Sequence, residues 1–181
     1  NNEKCDDPDV CKNGGDTKTD SCGFANIGNV KSTCVKGQWS QGNCEESYGC
    51  TSSFSKAQPQ SDGSYLSAVS GRFYEHPTGM IINSGDVIKG TATGKVNWNS
   101  KVWNGAYNNG PDKTSNTWGL KAGCKGSVIS DLGSTFNSKV YCSGELYFFV
   151  PDGNSSSGCA YNYYSDNAGG FNVMFNVQKG N

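Results

Sequence analysis

The chain carries no run of lysine or arginine, and its formal net charge is only −1. Holding a phosphate backbone requires clustered cations, so nucleic acid is excluded as a partner class. No apolar stretch approaches the roughly 20 residues that span a bilayer, and no membrane span is expected. The first residues lack the charged-then-apolar texture of a targeting segment, so Asn1 reads as a processed or cloned end. Histidine occurs once, as His76. No two cysteines form a C-x-x-C pair and His76 has no cysteine beside it, which argues against structural zinc. A Ser–His–Asp set would have to use His76, and no G-x-S-x-G elbow accompanies it. His76 precedes Pro77 and reads as a surface or turn residue. Paired carboxylates stay open, because their separation is spatial. With few acids, mostly beside Gly or Asn, the expectation is a binding protein and not an enzyme.

What is abundant points elsewhere. There are 25 glycines among 181 residues, aromatics make up 12 %, and hydrophobic residues only 34 %. Gly, Asn and Ser with many aromatics suit short strands joined by tight turns. Nine cysteines imply disulfides and an oxidising, secreted or cell-surface setting. Cys5, Cys11, Cys22, Cys34, Cys44 and Cys50 crowd the first fifty residues; Cys124, Cys142 and Cys159 follow late. The number is odd, and spacing leaves the pairing open.

Cysteine density divides the chain. Residues 1–50 form a small cysteine-rich module with no clear apolar periodicity, where cross-links must replace buried area. Cys34-Val35-Lys36-Gly37-Gln38-Trp39 followed by Cys44 weakly resembles the end of a complement-control (sushi) repeat; the plainer reading packs Trp39 on a disulfide. Residues 51–63 are polar and read as a linker. From 64 to 181 strand signals dominate. Candidates are 65–69, 72–74, 87–92, 95–98, 127–129, 140–142, 145–150 and 171–177, with a turn at Asn83-Ser84-Gly85-Asp86. The last candidate alternates apolar and polar residues almost perfectly. The fold class expected is all-β, a sandwich or jelly roll. Asn154-Ser155-Ser156 is a glycosylation sequon.

Two stretches have the chemistry of a recognition site. Asn162-Tyr163-Tyr164-Ser165-Asp166-Asn167 supplies amides, a hydroxyl and a carboxylate within six residues. Calcium takes six to eight oxygen ligands of those kinds, usually on a loop. An Asx-rich turn without metal explains the same residues. Trp98, Trp103, Tyr107 and Trp118 sit among Asn, Asp and Lys, Asp112 included, and Tyr161, Tyr163 and Tyr164 flank the oxygen-rich loop. Aromatic faces meet the C–H surfaces of sugars, although each ring could equally be core.

Four blocks, in order, resemble the calcium-dependent galactose-binding lectins of bacteria. They are Gly85-Asp86-Val87-Ile88 with Ala92-Thr93-Gly94, then 124–133, then Glu145–Val150, then Ser165–Val173. The resemblance covers about 83–177. It implies a jelly-roll sandwich of galactose-binding type, with calcium near the closing loop. Asp166 and Asn167 match the paired side-chain ligands, Trp98 matches a residue giving its backbone carbonyl, and Asn162 falls near a bridging aspartate. The sugar-contacting His-Pro motif has only Gly110-Pro111-Asp112-Lys113 in its place, so galactose specificity does not carry over. The function expected is an extracellular carbohydrate-binding adhesin or lectin, assisted by calcium where the oxygen-rich loop holds it, acting on glycan or a glycosylated surface. Trp103, Tyr107, Asp112, Trp118, Tyr163 and Tyr164 are its candidate ligand contacts. The alternatives are a pilus-tip or surface-assembly subunit with a protein partner, and a secreted hydrolase or toxin.

Overall fold

The computed structural model describes residues 11, 13–26, 28–53, 55–97, 108–113, 119–152, 159 and 161–180, with only the backbone at 108–109, 128–129 and 161–163. The chain divides into two compact units, Asn1–Ser47 and Tyr48–Asn181.

The first unit is a three-stranded antiparallel sheet in chain order, β1 (Thr17–Cys22), β2 (Gly28–Val35) and β3 (Gln38–Glu46). Lys36 and Gly37 both have positive φ (50° and 81°) between β2 and β3. Two such residues make the tight turn whose twist matches a hairpin. Strand β2 alternates buried and open positions, but Gly28, Val30, Ser32 and Cys34 occupy the buried ones. Such small and polar residues bury little apolar area, which is why the sequence shows no clear periodicity here. Two disulfides interleave here: Cys22–Cys44 joins β1 to β3, and Cys11–Cys34 ties β2 to the chain ahead of β1. Trp39 lies opposite Cys34 in the ladder and carries the Lys18 ammonium 5.2 Å above its ring.

The second unit is a β-sandwich, as the alternation of its strands requires. Its further strands are β4 (Gly49–Thr51), β5 (Gln58–Pro59), β6 (Tyr65–Ser70), β7 (Phe73–Ile82), β8 (Val87–Asn97), β9 (Asn108–Asn109) and β10 (Lys121–Cys124). After these come β11 (Ser127–Asp131), β12 (Thr135–Lys139), β13 (Gly144–Phe149) and β14 (Ala168–Gln178). One sheet runs β11-β10-β13-β7-β4 and the other β12-β8-β14-β6-β5, with β9 on β8. All pairings are antiparallel except β4 with β7. One core takes residues from both sheets. Leu146 and Phe148 of β13 meet Ile88 and Val96 of β8 and Phe171, Val173 and Phe175 of β14. Phe148 and Phe175 stand edge to face across it, ring centres 5.1 Å apart.

Strand β14 shows why period-two reading works: Phe171, Val173 and Phe175 are buried while Asn172, Met174 and Asn176 face water. Strand β13 shows where it stops. Tyr147 and Phe149 point away from the core yet are buried too. Tyr74 lies over Phe149, ring centres 5.4 Å apart, and Tyr164 lies 6.4 Å from Tyr74. Both faces of β13 are covered, so its sequence is continuously apolar.

The remaining disulfides, Cys50–Cys159 and Cys124–Cys142, belong to this unit. Cys5 lies outside the described residues. Parts of the stretch 51–63, expected as a linker, pair with the sheets of the sandwich. Thr51 ends β4, Gln58–Pro59 form β5, and Ser52 and Ser55 are buried.

Two local expectations change. Val140–Cys142 is no strand; Val140 instead bonds the turn at 85–86 through both backbone groups, and Tyr141 is 75 % exposed. His76 is no surface residue either, being fully buried on β7. The local sequence suggested exposure; the fold places the ring against Ser55, with Ser52 next to it. At that same turn Asp86 accepts the backbone N–H groups of Asn83 and Gly180 and the Lys179 ammonium. Those donors, the Asn83 N–H foremost, hold its carboxyl down at about 2.

Candidate functional site

The oxygen-rich loop reaches the sandwich as one turn-rich piece. Tyr161–Asp166 is a 3-10 segment that leads directly into β14. Four anchors fix it. Cys159, just before it, is bonded to Cys50 in β4. Tyr164 is wholly buried; its hydroxyl donates to the Val150 carbonyl (3.0 Å) and accepts the Asp152 N–H (3.1 Å). Burial foremost, and then the Asp152 carboxylate, push that phenol far above its ordinary range, so it stays a neutral donor. The Arg72 guanidinium donates to the backbone carbonyls of Asn167 (2.8 Å) and Ser165 (3.2 Å). Asn167, also wholly buried, donates from Nδ2 to the Gly71 carbonyl (2.9 Å) and to Asp152 Oδ2 (2.8 Å).

The glycines that follow permit this close join. Gly169 has φ +81°, and an added Cβ would collide with the Lys95 carbonyl; Gly94 has φ +109° and meets Gly170 in the same way. Backbones of β8 and β14 therefore approach more closely than side chains allow. Directly across that pair from Ala168 stands Asn97. Its Oδ1 is buried and has no hydrogen-bond partner among the described residues.

Asp152 and Asn167 thus meet at the β14 entry end of the sandwich, with Asp166 one residue away and Asn97 on the neighbouring strand. The sequence did not single out Asp152 as a ligand. It stands in Pro151-Asp152-Gly153, which reads as the stop after β13; the signal was a carboxylate ending the most apolar strand, facing the Asx pair fifteen residues on. Tyr164, a candidate sugar contact, has both its ring and its hydroxyl engaged inside the protein. Asp112 lies elsewhere in the chain, and its Oδ1 accepts the Ser134 N–H at 2.7 Å. Asn162 and Tyr163 belong to the 3-10 segment by backbone alone. Trp98, Trp103, Tyr107 and Trp118 lie outside the described residues. Among the described residues no three His, Cys, Asp or Glu side chains come together, and no helix is long and apolar enough to cross a membrane. The gathered groups are a mix of carboxylate and amide.

A second polar cluster lies within the sandwich. His76 Nε2 is 3.1 Å from the Phe73 carbonyl, and Nδ1 is 2.7 Å from Ser55 Oγ. Ser52 Oγ lies 2.9 Å from Ser55 Oγ, and Ser67 donates to the Ser55 carbonyl. A carbonyl can only accept, so Nε2 carries the proton, and Nδ1 accepts from Ser55. Burial brings the His76 pKa down to about 4 from 6.5, so the ring is neutral. With Ser55 1 % exposed and His76 not exposed at all, this Ser–His pair is closed to any substrate.

No family model matches the chain, and no curated protein does. A solved structure described as "EclA N-terminal domain; PllA-like lectin" is 20 % identical, and the match covers 62 % of this chain and 95 % of that one at a TM-score of 0.47.

Proposed function

We propose that this chain is an extracellular carbohydrate-binding protein whose sandwich recognises glycan at the β14 entry end, with calcium as a bridge. The observation that carries this is the meeting of Asp152 and Asn167, with Asp166 adjacent, on a loop held by Arg72 and Tyr164, and, across from the next residue Ala168, a buried Asn97 oxygen that has no partner among the described residues. A buried oxygen without a donor is costly in a folded protein, and a cation would remove that cost. Asp152 and Asp166 would supply the charge, and Asn97 and Asn167 neutral oxygens. Asn167 now turns its N–H toward Asp152, so calcium would draw Oδ1 round in its place. The bound ion would supply a fixed positive charge that sugar hydroxyls can join. Four disulfides fit a secreted or surface setting. Binding is preferred to catalysis because the Ser–His pair is sealed.

The test is thermal unfolding with calcium or with chelator, followed by a glycan array under both conditions. Calcium at a hundred times its Kd should stabilise the fold by about 2.7 kcal/mol. Asp152→Asn should abolish that gain and, with it, chelator-sensitive glycan binding. Identical melting curves in calcium and chelator would remove the metal from the proposal, and a blank array at high protein concentration would remove the glycan.

A further inference from the structure

The first unit has a hollow of its own. It measures about 400 Å³ and is lined by Thr19, Asn29, Lys31, Gly42, Asn43 and Glu45. Ligand pockets for small molecules run to roughly 300–1,000 Å³, so the size suits one or two sugar rings.

The strand register explains why the hollow exists. Thr19 lies opposite Lys31 across β1 and β2, and Asn29 lies opposite Glu45 across β2 and β3. Between those rows the β2–β3 register slips: Val30 pairs with Cys44 but Ser32 with Gln41. Two residues of β3, Gly42 and Asn43, therefore face the single Lys31. Such a bulge bends its strand and re-aims the side chains around it. Gly42 is required there, because a Cβ would sit 2.8 Å from the Lys31 carbonyl oxygen. The floor is stiff as well. Cys22–Cys44 ties β1 to β3, and Cys11–Cys34 ties β2 to the chain ahead of β1.

The lining is chemically selective. It presents an ammonium, a carboxylate, two primary amides and a hydroxyl, and its two formal charges cancel. Among the described residues none of these five side chains is bonded to another protein group. Donors and acceptors therefore line a neutral concavity together, with hydrogen-bonding capacity left for a ligand. A charged ligand would leave one of the two ionised groups opposed. A ligand whose every polar group both donates and accepts would satisfy all of them, and vicinal hydroxyls are that kind of group.

We propose that this hollow is a second binding site, for a neutral saccharide, built on the cysteine-rich unit and independent of calcium. Lys31 and the amides of Asn29 and Asn43 donate to ring hydroxyls, Glu45 accepts from a vicinal pair, and Thr19 closes one edge. The site shares no residue with the β14 end, so it stands if that site fails.

The test uses the full chain, labelled with nitrogen-15, and the methyl glycosides of glucose, mannose, galactose and N-acetylglucosamine, each added to tens of millimolar in excess chelator. At least one glycoside should move the amide signals of Thr19, Lys31, Asn43 and Glu45 in a saturable way. Glu45→Gln and Asn43→Ala are exposed substitutions, and each should weaken that binding about tenfold while other amide signals stay put, the loss expected from one or two hydrogen bonds to a charged or amide partner. Asp152→Asn should leave the binding unchanged, which separates this site from the other. No saturable shift in 17–46 with any of the four glycosides would overturn the proposal. Binding that survives both Glu45→Gln and Asn43→Ala would overturn it equally.

Discussion

The cysteine-rich unit and the sandwich hold β-sheet together by opposite means. In the first unit, Cys11, Val30 and Cys34 are the buried hydrophobic residues among those described. Strand β2 fills its other inward positions with Gly28 and Ser32. Covalent ties between strands take the place of apolar area, as small domains require. In the sandwich, Phe148, Phe171 and Phe175 are essentially unexposed, and of its two disulfides Cys124–Cys142 only adds to a core the rings already fill. The difference bears on function. A cross-linked sheet can leave one whole face polar and open, which is where the saccharide hollow sits. A sandwich must close both inner faces, so the proposed glycan site falls to the loops at one of its ends.

The contrast can be broken most forcefully in the core. Phe148→Ala removes a ring that bridges the sheets through Phe175. The expected loss is about 3–5 kcal/mol, read as a lower denaturant midpoint with faster amide exchange along β8 and β14. The first unit should respond instead to its staples. Replacing Cys22 and Cys44 together by serine should cost about 2–5 kcal/mol, seen as lost amide protection in 17–46. Should that double substitution leave protection in β1–β3 intact, Val30 and its neighbours would be a sufficient core, and the contrast would fail.

How far the sequence disclosed all this follows the same division. Strands β13 and β14 were legible because large apolar residues recur with period two or fill both faces. The all-β class follows from them. Strand β2 was not legible: its period is real, but Gly, Val, Ser and Cys carry too little hydrophobic contrast to display it. Strand β12 was missed for a related reason, since Phe136 alone of Thr135–Lys139 is buried. The disulfide partners depend on which strands meet, and spacing is silent on that. At the candidate site, Asp166 and Asn167 stood out by composition. Asp152 and Asn97 did not, because a carboxylate after Pro151 and an amide before Trp98 read as strand ends. The pairing of β8 with β14 puts Asn97 at the entry of β14, and the bond from Asn167 puts Asp152 there.

His76 sharpens the comparison, because it is a polar group that the sandwich has sealed inside. The neutral ring donates to Phe73 and accepts from Ser55, and protonation would turn that accepting nitrogen into a second donor. Folded, the ring takes up a proton only near pH 4; unfolded, it does so near 6.5. Between those values the unfolded chain binds more protons, so stability is full above about pH 6.5 and drains away as pH falls toward 4. The integrated effect is on the order of 3 kcal/mol. Asp86 acts in a separate window, since its low pKa gives stability that is lost only as pH falls from about 3.8 toward 2. Urea midpoints at pH 7 and pH 4.5 should therefore differ in the natural chain. His76→Gln keeps a donor and an acceptor near the same places, so it should fold, be less stable at pH 7, and lose most of that difference. A pH dependence undiminished in His76→Gln would trace the effect to other groups and leave the sealed Ser–His pair a neutral packing element with no bearing on acid stability.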